Sequence, residues 1–213
     1  MKYRISGLHR VFAAILLFMS PAAWGQDVDA LLSRWDQRLE QPSLISCRIR
    51  QRKRVSLIRG DVSLAGRLYF MFPRFLRMEM EGDENFDLYC DGETIHIIDH
   101  DLEEQEVVPF NQWSRGEGTG RLAHPLAGMT KEEILRSHAI VYDSSSAEYV
   151  VKPKATAAGF RAIRFKVDSM DRIKWMKIFL VNGDWTETEF SHWRKHDRVS
   201  THFFRYLKKD GKG

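Results

Sequence analysis

Cysteine is scarce, with two residues in 213. A disulfide-dense secreted scaffold is thereby excluded. The chain has 6 Pro and 14 Gly, too few for a collagen-like or proline-rich protein. A bias of charge is also missing: Lys and Arg total 33 against 29 Asp and Glu. Hydrophobic residues make up 43%, which excludes a disordered tail protein. Beyond residue 25 there is no long apolar run, so nothing there reads as a membrane-spanning helix. No nucleophile elbow, phosphate-cradling glycine loop or paired-carboxylate arrangement stands out. Ser144-Ser145-Ser146 reads as a turn. The chain is not expected to be an enzyme, and no cofactor is implied.

What is there begins with a leader. Lys2, Arg4 and Arg10 form a positive n-region, and Val11 to Met19 is a short apolar run. Ala23-Trp24-Gly25 puts small residues where a signal peptidase reads. A signal peptide over residues 1–25 is expected, cut after Gly25, followed by one domain over 26–213. Three of the 33 basic residues belong to the leader, which leaves 30 against 29 acidic. The basicity is thus not that of a nucleic-acid binder, and no such partner is expected.

Asp27 to Glu40 reads as an amphipathic helix, with Leu31, Leu32, Trp35 and Leu39 at helical spacing. Asp27 or Asp29 can cap it. From Leu44 the period changes to two, over segments around Ile45–Ile49, Leu68–Phe72, Leu76–Met80, Phe86–Cys90 and Thr94–Asp99. Consecutive short strands joined by turns predict an antiparallel meander. Residues 111–139 interrupt it with glycines and a capping box at Thr130–Glu133. Strands resume at Tyr149–Lys152, Phe160–Val167, Ile173–Val181, Thr186–Trp193 and Val199–Tyr206, with Asn182-Gly183 as a hairpin turn.

Such a chain is mainly β. It suggests an incomplete antiparallel barrel, or strongly curved sheet, with a helical lid over an apolar cavity. The leading helix and residues 116–136 would form the lid. Leu68, Phe70, Leu76, Met78, Met80, Trp175 and Phe179 are the candidate lining, because Met and aromatic side chains adapt to irregular apolar ligands. A fully packed core accounts for the same residues.

Other groups have two readings. Arg48, Arg50, Arg52 and Arg54 share a strand face. They suit an anionic headgroup or an acidic partner, or else a solvated face that discourages edge aggregation. Arg77 and Glu79 share a face and read as a structural pair. His96, Asp99, His100 and Asp101 resemble metal ligands, but strand parity separates them, and no metal site is assigned. Cys47 and Cys90 fall on strands that a meander keeps apart, so buried thiols are expected rather than a disulfide.

The residues resemble a family. Ile45-Ser46-Cys47-Arg48-Ile49-Arg50-Gln51 resembles the first-strand signature F-S-A-x-F-x-Q of the LolA-like periplasmic lipoprotein carriers. Gly66 to Phe70 resembles their G-x-L-x-F strand. Pro73 to Met80 resembles P-x-x-F-R-W-E-Y, with Pro73, Arg77 and Glu79 in register. Cys90-Asp91-Gly92-Glu93-Thr94-Ile95 is similar to S-D-G-K-T-L. Tyr149 to Lys154 and Gly183 to Thr186 resemble later segments of the same pattern. The matches run in order from about residue 27 to 206.

The resemblance implies a half-open barrel closed by helices. It also implies a periplasmic, monomeric carrier of lipid or lipoprotein acyl chains, working with a membrane-associated donor or acceptor protein. Pro73, Arg77, Glu79, Asp91 and Gly92 would be its structural motif residues. A regulatory or sensor domain of the same fold, acting by protein contact, is the alternative. Two departures leave the ligand open. Phe72 stands where the carriers have an Arg, and no further proline-containing segment follows Tyr206.

Overall fold

The computed structural model describes residues 27–39, 43–57, 59–72, 74–110, 129–155, 159–197 and 200–207. Its first element is helix α1 (Val28–Leu39). Six strands follow: β1 (Leu44–Arg54), β2 (Asp61–Met71), β3 (Phe75–Gly82), β4 (Phe86–Asp91), β5 (Thr94–Asp99) and β6 (Glu104–Pro109). Helix α2 (Lys131–Ser137) leads into β7 (His138–Asp143), β8 (Glu148–Pro153), β9 (Phe160–Val167), β10 (Ile173–Leu180) and β11 (Trp185–His196). A short 3₁₀ turn (Thr201–Phe204) comes last. The leader, the glycine-rich residues 116–128 and Pro73 lie outside the described residues.

All eleven strands form one antiparallel sheet in the order β6-β5-β4-β3-β2-β1-β11-β10-β9-β8-β7. It consists of two meanders joined where β1 pairs with β11. The sheet ends at β6 and β7, so it is not closed into a barrel. The expected meander and mainly β class are therefore found, with one more strand than the ten or so read from the sequence.

Directly paired residues on neighbouring strands share a face. The register carries one face from Cys47 to Leu68, Met78, Leu88 and Ile97. In the other direction it runs from Gln51 to Thr188, Met176 and Phe165. Helix α1 packs on this inner face: Leu31, Val28 and Trp35 sit against Tyr149, Val151, Phe165 and Met176. Leu31 and Leu32 are 1% exposed, as the amphipathic pattern requires. Asp27 is the cap, its carboxylate accepting from the Asp29 and Ala30 amides.

Two apolar clusters result, one over β7–β10 under α1 and one over β1–β6. Phe190 packs against both. Gly66 explains itself by close approach. A Cβ there would lie 2.0 Å from the Glu79 carbonyl oxygen and 2.7 Å from the Met80 sulfur.

The structure departs from the sequence reading at the C-terminus. Within the expected strand Val199–Tyr206, the described residues 200–206 do not form a strand. Ser200 caps the 3₁₀ turn by accepting from the His202 amide at 3.2 Å. The turn then crosses the outer face, where Phe203 meets Tyr69, Phe204 meets Phe75, and Tyr206 meets Tyr89 and His96. Strand β11 is paired on both sides, so the segment that follows has no free edge beside it and lays its rings on the sheet instead.

Candidate functional site

Of the seven residues read as a lining, five share the inner face. Leu68 is paired with Met78, Phe70 with Leu76, and Met80 lies opposite Gly66. Met80 is 2% exposed and locked into the core. Leu68, Phe70, Leu76 and Met78 are half-buried. They form an apolar strip on the part of the inner face that α1 leaves uncovered.

Trp175 and Phe179 lie on the opposite face. Trp175 pairs with Glu189 and Phe179 with Trp185, while their neighbours Met176 and Ile178 point inward. Strand β10 is apolar on both faces, so period two gives no direction there. Outside, Trp175 donates its indole N–H to Glu187 at 2.9 Å. Glu187 also accepts from Lys177 and Arg52. The Trp185 ring carries Lys177 at 3.9 Å, Arg52 at 5.3 Å and Arg54 at 5.7 Å. Arg52 and Arg54 also pair with Asp61. These arginines do not guard an edge, because β1 is paired on both sides.

Burial alone would raise the Glu187 carboxyl. The hydrogen bonds from Trp175, Lys177 and Arg52 outweigh it and hold the group below its ordinary value.

The motif residues have structural tasks. Arg77 pairs with Glu79 at 2.7 Å on the outer face. Its guanidinium lies between the rings of Tyr89 and Phe203, at 4.9 and 4.6 Å. The pair thereby seats the C-terminal turn. Asp91 accepts from the Glu93 and Thr94 amides, and Gly92 takes φ +96 between β4 and β5. That backbone conformation is why the turn carries Asp-Gly.

The thiols and histidines are placed apart. Cys47 on β1 and Cys90 on β4 are free and buried, with two strands between them. Burial pushes their thiols up, to about 12 and about 11. His96 meets Gln105, and His100 meets Asp87 at 3.2 Å. Among the described residues no cluster of three metal-ligating side chains is formed.

Helix α1 is held down at its flank. Arg34 donates to both carboxylate oxygens of Asp171 in the β9–β10 turn, and Trp35 donates to the Asp171 carbonyl. Its other side ties to α2, where Asp36 accepts from the Lys131 amide and Asp29 pairs with the Lys131 ammonium.

The sequence reading missed Phe190, Trp193 and Lys195. Opposite Ser46–Arg48, strand β11 has one extra residue, and His192 takes φ +54. A bulge of this kind resets parity. Phe190 faces inward opposite Ile49, and beyond the bulge Lys195 faces inward opposite Ile45. Trp193 stacks on Phe190 and meets Phe70 edge-on. Phe72 meets the other side of Phe70 edge-on, so an aromatic contact occupies the position where the carriers have an Arg. Trp193 also lines a cavity of ≈ 270 Å³, together with Arg38, Ser43, Ile45, Met170, Arg172, Arg194 and Lys195. Four of its eight lining residues are cationic, and none of the residues read as an apolar lining is among them.

No curated protein matches the sequence. Among solved structures, a LolA superfamily protein from Nitrosomonas europaea is similar at 8% identity, covering 84% of this chain and 97% of that one, with a TM-score of 0.44. A DUF1329 family protein from Desulfovibrio piger is similar at 10% identity, covering 83% and 95%, with a TM-score of 0.49. The lipoprotein LppX from Mycobacterium tuberculosis is similar at 12% identity, covering 82% and 100%, with a TM-score of 0.35. The sequence model of the outer membrane lipoprotein carrier protein LolA matches residues 45–207, and the chain belongs to that family.

Proposed function

We propose that this protein is an exported periplasmic carrier that takes up acyl chains of lipoproteins or other lipids and passes them between membranes. The observation that carries the reading is the strip Leu68, Phe70, Leu76 and Met78. These four apolar side chains stand together on the inner face and are left half-buried, whereas α1 covers that face over β7–β10. An acyl chain laid along the strip gains about 0.8 kcal/mol for each methylene it removes from water. Met78 and the rings around Phe70 can repack for chains of different shape. Release then needs an acceptor that offers an equally dry place. Helices α1 and α2 would act as the cover.

The test is native mass spectrometry of the protein purified from the periplasm, followed by lipid extraction. A bound acylated species is the expected result. An apo mass, together with failure to take up a fluorescent fatty-acyl probe, would overturn the reading.

A further inference from the structure

The cavity beside Trp193 has a chemistry that acyl binding alone does not use. Its lining includes Arg38, Arg172, Arg194 and Lys195, and among the described residues no carboxylate lines it. Arg38 and Arg172 are themselves held in place, by Asp171 and by Asp168. Arg194 and Lys195 have no acid partner among the described residues. Ile45, Met170 and Trp193 are its apolar lining residues. The Trp193 indole N–H is buried and has no acceptor among the described residues.

Position adds to this. The bulge at His192 is what brings Lys195 onto the inner face, and bulges commonly re-aim side chains beside functional sites. Trp193 is shared between the cavity and the aromatic set that continues through Phe70 to the apolar strip. A ligand with its chains on Leu68, Phe70 and Met78 therefore has its polar end beside Arg38, Arg172 and Lys195, while the Arg194 side chain, opposite Ser46, starts from the outer face.

We infer that this cavity is a headgroup subsite for the phosphate of an anionic phospholipid. The inference rests on the acyl-binding reading above and sharpens it. The diacylglyceryl end of a lipoprotein brings no phosphate to this place, so the preferred cargo is a phospholipid rather than a lipoprotein. Arg and Lys together suit a phosphate, the guanidinium as a fork and the ammonium as a point charge.

The test compares three probes on the purified chain by titration calorimetry: dioctanoyl phosphatidic acid, dioctanoylglycerol and inorganic phosphate. The phosphatidic acid is expected to bind at least about tenfold more tightly than the neutral glyceride, the worth of one charge-assisted hydrogen bond. Lys195→Glu should abolish that preference and leave glyceride affinity unchanged. Lys195 is solvent-exposed and without a described partner, so folding is spared.

Equal binding of the two lipids, with no effect of Lys195→Glu, would overturn the subsite and leave acyl binding standing. Inorganic phosphate binding as tightly as phosphatidic acid would make this a free-anion site and overturn the lipid assignment. Failure of both lipids to bind would overturn the acyl-binding reading and this inference with it.

Discussion

Arg34 on helix α1 donates to both carboxylate oxygens of Asp171, at 2.6 and 3.0 Å, and Asp171 stands at φ +55 in the turn between β9 and β10. One acidic residue thus latches the helix to the sheet, with the Trp35 indole and Arg38 bonded to the Asp171 carbonyl. Asp171→Asn keeps a side chain that tolerates the left-handed backbone and removes the charge. Hydrogen exchange in residues 28–39 should rise, while that in β1–β5 stays as it was. Lipid uptake should become faster if the helix is the cover. Unchanged exchange in α1 would show that Leu31 and Leu32 hold it without the latch.

The two faces of the sheet make opposite predictions. Phe70→Asp and Met78→Asp each put a charge on the apolar strip, where it is costly beside a bound chain. Uptake of a fluorescent fatty-acyl probe should fall at least about tenfold, the effect of roughly 1.4 kcal/mol. Phe179→Gln changes the outer face at a half-buried position. It should leave uptake unchanged, with circular dichroism confirming that all three variants fold. Loss of uptake in Phe179→Gln, or retention in both charged variants, would place the acyl site elsewhere.

The same contrast shows what the sequence made legible. In β2 and β3 apolar and polar residues alternate, so period two placed Leu68, Phe70, Leu76, Met78 and Met80 on one face, and the register agrees. Strand β10 reads Ile-Lys-Trp-Met-Lys-Ile-Phe-Leu, apolar at both parities. Its outward aromatics are stabilised by cations on neighbouring strands, Lys166 over Trp175 and Arg161 over Phe179, which no local pattern announces. The bulge at His192 was equally silent, because Thr186 to Trp193 runs on without a glycine to mark it. The lining cations come from α1, the β9–β10 turn and β11, and only the fold brings them together.

Cys47 and Cys90 should behave as inert thiols. Both are packed into the β1–β6 cluster, and two strands between them put them on the order of 14 Å apart. Their thiols lie at about 12 and about 11, so almost no thiolate forms near pH 8. Iodoacetamide should label neither cysteine in the folded protein and both in urea. Rapid labelling of the native state, or a disulfide in the intact mass after oxidising treatment, would contradict the packing.

Glu187 should give the outer face an acid-sensitive component. Its carboxylate accepts from Trp175, Lys177 and Arg52 at 2.9, 3.0 and 3.2 Å. Desolvation opposes the charge, but these donors prevail, and the folded group titrates below its unfolded value. A depressed carboxyl stabilises the fold fully above the unfolded value, near 4.3 for Glu, and loses that contribution as pH falls through the folded one. Glu187→Gln should therefore lower Tm at pH 7. The difference from the parent should shrink as pH falls from the unfolded value through the lower folded one, where the parent carboxylate takes up its proton. Since Glu187 bridges β1, β10 and β11, the loss concerns the seam where the two meanders meet. A Tm difference that stays constant from neutral pH down through the acid unfolding range would mean that shape, not charge, is what Glu187 contributes.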